Sequence, residues 1–353
     1  MVGLEINSRY ITMVALAESR VKAACRTLSP PGSVAGGVVV NLKQVAATIG
    51  QLARRVRANG PVAIAVPRAL NKWVDAPRIS LDELNAAAPF EGPKRLPNAA
   101  EPMTYRFSVP PEAYETGDEN VPLPARLVAA PRSVIDGRLD AALLAGLVPV
   151  VAAPESDAVV AALTRNQATD SILWKGKATA AINLQAEYIE MTVARETRLE
   201  FTRTLNHGTD ELIDTIGRFV GADTNEAVAL LREATIDDAG LLQFPTELGL
   251  PPISALQFLH ELTAEMRRLA DFQRSRFPDG SYLGLLDAFV LTGEGASIRG
   301  LERYCSASLG VTCLPGDLEA AFDWPEKLKE DDLNPYCPAL GAAIIACQEA
   351  LAA

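Results

Sequence analysis

Val2-Gly-Leu-Glu-Ile-Asn-Ser8 and, much further along, Ala181-Ile-Asn-Leu-Gln185 are read together, because each ends a strand at a turn and each is followed by a second apolar run. In the first, Val2, Leu4 and Ile6 alternate with Gly3 and Glu5, and after Asn7-Ser8 the run Tyr10 to Leu16 resumes, which predicts a hairpin. In the second, Thr179 to Leu184, Tyr188 to Val193 and Leu199 to Leu205 predict three strands in succession. Outward from the first hairpin, Leu42, Val45, Ala46, Ile49, Leu52, Ala53 and Val56 recur at helical spacing, and Val62 to Val66 reads as a buried strand. Outward from the second come helices over Asp210 to Val220, Asn225 to Glu233 and about Ala255 to Arg274. They lead to a strand at Ala288 to Leu291, a turn at Gly293-Glu294-Gly295 and a helix from Ser297 to Leu309. Two cycles that both open on a hairpin and pass through helices to a later strand predict internal duplication of one α/β unit, a repeat of structure rather than of letters.

Between the cycles, Pro67 to Gly146 reads differently. It is rich in proline, carries a capping box at Ser80 and Glu83, has strands around Tyr105 and at Arg126 to Ala130, and a helix from Ser133 to Leu144. This is the pattern of a small inserted α+β subdomain. Val148 to Ala152 is again a buried strand, Pro154 is placed at the start of a helix reaching about Leu163, and a last helix from Ala339 to about Leu351 has a face of small residues.

The 353 residues are more than one ordinary core needs and suit two lobes. Hydrophobic residues at 48% and charged residues at 22% belong to a chain that folds. A net charge of -11 repels phosphate backbones and anionic headgroups and argues against nucleic acid as a partner. The five cysteines (Cys25, Cys305, Cys313, Cys337 and Cys347) are scattered and odd in number, which fits a reducing cytosol, with Cys305 and Cys313 read as core residues. There is no signal-peptide pattern and no apolar run near the roughly 20 residues of a membrane span, so the expectation is a cytoplasmic protein, neither exported nor inserted. His207 and His260 stand in no metal or triad spacing and read as structural. Arg54-Arg55-Val-Arg57 reads as the exposed end of a helix, and the charges Glu265, Arg267, Arg268 and Asp271 as a solvated helix face.

Taken in order, these landmarks resemble the PilM family of type IV pilus assembly proteins, itself similar to the cell-division protein FtsA and to the cytoplasmic part of the secretion protein GspL. The family's strand followed by Asp-x-Gly-Ser is echoed by Val2 to Ser8. Its Pro-led stretch ending in Glu-Leu is echoed by Ala76-Pro-Arg-Ile-Ser-Leu-Asp-Glu-Leu84, and its extended segment by Met103-Thr-Tyr-Arg-Phe107. Ala145-Gly-Leu-Val-Pro149, Ala181-Ile-Asn-Leu-Gln185, the strand-Arg-x-x-x-x-Gly pattern of Phe201 to Gly208, and Glu265-Met-Arg-Arg-Leu-Ala-Asp-Phe272 continue the match. Leu291-Thr-Gly-Glu-Gly-Ala-Ser-Ile-Arg-Gly-Leu301 is similar to the family's adenosine turn. The implied fold is the actin-like, ribonuclease H-like duplicated two-lobed α/β fold. Its first lobe would comprise 1–67, 147–175 and 335–353, the inserted subdomain 68–146, and the second lobe 176–334.

The resemblance implies that the two hairpin turns face each other across a cleft and hold the phosphates of ATP, with Mg, by backbone amides. Glu5, Asn7 and Ser8 stand in the first turn, where a carboxylate and a hydroxyl remain but the glycine is lost. Asn183 and Gln185 stand in the second, with neither the carboxylate nor the glycine. Gly293 and Gly295 persist in the adenosine turn, although alone they would mark an ordinary strand-to-helix turn; Glu294 replaces a glycine and would crowd the base. Without an Asp at 183 the metal's water shell loses its anchoring charge, so the expected site is degenerate, binding ATP as a structural ligand or not at all, with no catalytic residue and no metal ligand assigned. The implied role is a cytoplasmic scaffold that takes the N-terminal tail of a PilN-like inner-membrane protein into a groove on the first lobe and its insertion, reaching the membrane only through that partner. Self-association is left open. The rivals are an active actin-like ATPase or kinase, against which Asn183 and Gln185 argue; an FtsA-like tether, which should end in a basic amphipathic helix; and a GspL-like component, which should run on into a membrane span.

Overall fold

The computed structural model describes residues 1–96, 101–110, 112–115, 121–164, 178–195, 198–277, 279–329 and 332–352. The chain opens with β1 (Val2–Ile6), β2 (Tyr10–Ala17) and β3 (Arg20–Leu28), a short pair β4 (Val34–Ala35) and β5 (Val38–Val39), then α1 (Leu42–Val56) and β6 (Pro61–Val66). The hairpin pairs Val2 with Ala15 and Ile6 with Ile11, as the alternation requires. Helix α1 buries Val45, Ala46, Ile49, Leu52, Ala53 and Val56, the residues at helical spacing, and leaves Arg54 and Arg55 in solvent. β3 is unannounced by the sequence because its residues are mostly half-buried and alternate weakly.

The middle of the chain forms β7 (Leu70–Ala76), α2 (Leu81–Arg95), β8 (Met103–Ser108), α3 (Glu112–Glu115), β9 (Leu123–Pro131), α4 (Arg132–Leu144), β10 (Val148–Pro154) and α5 (Glu155–Thr164). Ser80 and Glu83 form the expected capping box. Pro154 does not start a helix: it pairs with Val66 as the last residue of β10, and α5 begins at Glu155.

The second half comprises β11 (Ala178–Leu184), β12 (Ile189–Arg195), β13 (Arg198–Leu205), α6 (Asp210–Val220), α7 (Thr224–Glu233), β14 (Thr235–Ile236), β15 (Leu241–Gln243), β16 (Ile253–Ser254) and α8 (Leu256–Ser275). It continues through β17 (Leu286–Thr292), α9 (Leu301–Leu309), β18 (Thr312–Pro315), α10 (Glu326–Lys329) and α11 (Cys337–Ala352). Helix α9 starts later than the expected Ser297. A 3-10 turn occupies Glu294–Ser297, and Gly300 at φ 80° precedes the first helical residue.

Two five-stranded sheets result, ordered β3-β2-β1-β6-β10 and β13-β12-β11-β17-β18. In both, three antiparallel strands are followed by two parallel ones, which is the duplication the sequence predicts. A smaller antiparallel sheet, β7-β9-β8, has its own core around Leu84, Phe107 and Leu127. Between the large sheets, Val14, Val160, Ala181, Val290, Trp324 and Ile344 share one apolar cluster, so strands of both halves meet there. The small face of α11 serves close packing: a Cβ on Gly341 would lie 1.7 Å from the carbonyl oxygen of Ala158 in α5. Cys305 and Cys313 are buried in the core of the second half. Among the described residues no helix is long and apolar enough to cross a membrane.

Candidate functional site

The β1–β2 turn and the β11–β12 turn face each other, and side chains fill the space between them. Asn7 Nδ2 donates to Gln185 Oε1 at 3.0 Å and to Glu5 Oε1 at 3.3 Å. Gln185 Nε2 donates to Glu5 Oε1 and Asn183 Oδ1, both at 3.0 Å, and approaches Glu155 Oε1 at 3.3 Å. Asn183 Nδ2 and the Tyr188 hydroxyl each donate to Glu155 at 2.6 Å. All six residues are buried. Four residues singled out from the sequence, Glu5, Asn7, Asn183 and Gln185, thus belong to one hydrogen-bonded network that crosses between the halves. Ser8 lies half-buried in the turn, outside it.

Backbone amides on either side of Ser8 in the first turn are already engaged. Asn7 Oδ1 accepts from the amides of Arg9 at 3.0 Å and Tyr10 at 2.7 Å, while the Asn7 amide bonds the Tyr10 carbonyl. In the second turn the Gln185 amide bonds the Tyr188 carbonyl. The amides of Asn7, Arg9, Tyr10 and Gln185 are therefore satisfied within the chain.

Burial sets the charge state. It is the main cause holding the Glu5 carboxyl well above the usual carboxylate range, with the Glu155 charge adding to it; burial likewise raises Glu155, against the hydrogen bonds from Tyr188 and Asn183. Arg138 of α4 is the buried cation beside them. It donates to the carbonyls of Ile6 at 2.7 Å, Val134 at 3.0 Å and Gly37, anchoring the end of β1, and burial brings its pKa down to about 10.

A second bridge lies beside the network. Arg9 pairs with Asp210 of α6 and approaches Glu294 at 4.0 Å, and Thr209 donates to Glu294 at 2.9 Å. Arg26 stacks 3.7 Å over the Tyr10 ring, whose hydroxyl accepts from Arg232 at 2.6 Å. The cavity left among Arg9, Tyr10, Arg26, Thr209, Arg232 and Glu294 is about 50 Å³. Gly293, at φ 78°, and Gly295 hold the turn against β11: a Cβ on Gly293 would lie 2.5 Å from Asn183 Oδ1, and one on Gly295 2.7 Å from Leu184 Cβ. Sequence reasoning missed Glu155, Tyr188, Arg138 and Arg9. Tyr188, next to the second turn, and Glu155, a carboxylate at the head of an apolar helix, are the two a search for buried polar groups would find.

Equal sheets, facing hairpin turns and a small insertion define an actin-like, two-lobed α/β fold. Solved structures agree. A chain of the PilM-PilN type IV pilus biogenesis complex superposes with a TM-score of 0.80 at 22% identity, over 98% of this chain and 97% of that one. The ethanolamine utilization protein EutJ from Carboxydothermus hydrogenoformans gives 0.53 at 13% identity, over 97% and 88%. MreB5 of Spiroplasma citri bound to ADP gives 0.51 at 10% identity, over 99% and 96%. No curated protein sequence matches the chain. The family model of the type IV pilus assembly protein PilM matches residues 3–352, and the chain belongs to that family.

Proposed function

We propose that this protein is a cytoplasmic adaptor of a type IV pilus machine that works by holding a partner's tail, with its nucleotide cleft converted into a protein-only bridge between the lobes. The observation that carries the reading is the contact of Asn7 with Gln185 across the cleft, at 3.0 Å. ATP with Mg does not fit the residues present. In the first turn Asn7 takes the amides of Arg9 and Tyr10, Asn183 is uncharged, and the remaining cavity of about 50 Å³ compares with roughly 300–1,000 Å³ for small-molecule sites. Side chains supply the cross-lobe contacts that a nucleotide would otherwise make.

The lobe boundaries read from the sequence, of which 175/176 lies outside the described residues, are kept as part of this proposal; a groove runs between the first lobe and its insertion. Its volume is about 950 Å³, and its lining includes Ala69, Phe107, Val128, Val150 and Ile345. Two edge strands look into it: among the described residues β8 is bonded only to β9, and β10 only to β6. An extended peptide can add to such an edge through its main chain while apolar side chains fill pockets, and this suits the N-terminal tail of a PilN-like inner-membrane protein. The solved PilM-PilN complex supports a partner of that kind.

Calorimetric titration separates the readings. A synthetic peptide copying the tail should give saturable heat, lost in Val150→Glu, a change at a half-exposed side chain of the groove, whereas ATP-Mg should give none. ATP binding with turnover, and no response to the peptide, would instead establish an actin-like enzyme.

A further inference from the structure

Outside the cleft, His207, Glu211 and Glu261 converge. His207 lies between β13 and α6, Glu211 in the first turn of α6, and Glu261 on α8; one ligand atom from each lies within 4.8 Å of the others. Among the described residues His207 Nδ1 is buried with no hydrogen-bond partner and stands 3.9 Å from Glu211 Oε1, too far for a hydrogen bond, with the imidazole only 19% exposed. A buried, unpaired ring nitrogen beside a carboxylate it does not reach is costly as it stands. Gln257 donates to Glu261 at 3.4 Å, a long contact that leaves most of that carboxylate available.

We infer that His207, Glu211 and Glu261 form a binding site for a divalent first-row transition cation such as zinc. One imidazole nitrogen and two carboxylate oxygens are an accepted zinc donor set, and their summed charge with neutral imidazole cancels that of the ion. Ligands around tetrahedral zinc at about 2.0–2.1 Å sit roughly 3.4 Å from one another. Closing the 3.9 Å between His207 and Glu211 takes a small rotation of either side chain, and Glu261, which is exposed, is free to turn toward both. The site would clip α8 to the start of α6, next to Thr209 and Asp210, which reach Glu294 and Arg9 in the bridge between the lobes. Metal occupancy would therefore stiffen the α6 end of that bridge.

The test is titration of the chelator-stripped full chain with zinc chloride, and separately with cobalt chloride followed by visible absorption. The expected result is saturable binding of a single ion. His207→Ala and Glu261→Gln should each weaken it at least about tenfold, while their metal-free thermal unfolding matches wild type. Cobalt should give d–d bands without a thiolate charge-transfer band, which excludes the half-buried Cys25 and Cys347 as ligands. No saturable binding, binding unchanged in both variants, or a thiolate band would each overturn the assignment. Because Glu261 is exposed, Glu261→Gln reports even if His207→Ala does not fold.

Discussion

Replacing Gln185 with alanine tests whether the halves are held by the buried amide network. The Gln185 side chain accepts from Asn7 and has Glu5, Asn183 and Glu155 within 3.3 Å of its Nε2, of which two hydrogens serve two at a time. Three hydrogen bonds are lost at once. Each is worth about 1 kcal/mol net, and each buried group left unpaired costs about 1–3 kcal/mol. Water entering the vacated space recovers part of this, because the site is polar enough to hold it. The balance is a destabilisation of about 2–4 kcal/mol. Urea denaturation of wild type, Gln185→Ala, Asn7→Ala and the double variant measures it, and the cycle should return a coupling of about 1–2 kcal/mol between the two positions. If Gln185→Ala stays within about 0.5 kcal/mol of wild type and the coupling vanishes, the contact is incidental and the bridge does not hold the lobes together.

Three further outcomes follow from the same geometry. Gly341→Ala, whose new carbon would meet the Ala158 carbonyl oxygen at 1.7 Å, should force α11 off α5 and cost about 1–3 kcal/mol in thermal or urea unfolding. Arg9→Ala removes the pair with Asp210 and the approach to Glu294; because Arg9 is mostly buried, a loss of about 1–2 kcal/mol is expected, with increased amide exchange at the start of α6. Glu190 of β12 is 1% exposed, neither of its carboxylate oxygens has a partner among the described residues, and burial, with the charges of Glu155 and Asp157, raises its pKa well above the usual value. The folded chain therefore keeps a proton that the unfolded chain releases, so stability falls as pH rises above the ordinary carboxylate range. The slope is about 1.4 kcal/mol per pH unit until the folded pKa is reached. Glu190→Gln should raise the melting temperature at neutral pH and flatten its pH dependence; an unchanged pH profile would show that Glu190 is charged and solvated.

What could be read from the sequence was what has a period. The hairpins at Val2 and Thr179, helix α1 and the capping box of α2 repeat every two or every 3.6 residues, or follow a fixed local spacing, and all are present. The strands β14, β15, β16 and β18 are too short to show alternation, and β7 has no fully buried face, so no periodic signal existed to be found. The site divides in the same way. Glu5, Asn7, Asn183 and Gln185 were legible because each sits at a turn whose position along the chain carries meaning. Glu155 and Arg138 were not, because what selects them is contact across many intervening residues. The departures at those turns also say more than that glycine is missing. An Asn where a glycine is expected both occupies the space beside the backbone and presents its own oxygen to the amides of Arg9 and Tyr10. A Gln at the facing turn is long enough to meet it. On the proposed reading, the pairing of Asn7 with Gln185 takes the place of a ligand from both sides and lets a member of this actin-like family keep its lobes closed without a nucleotide.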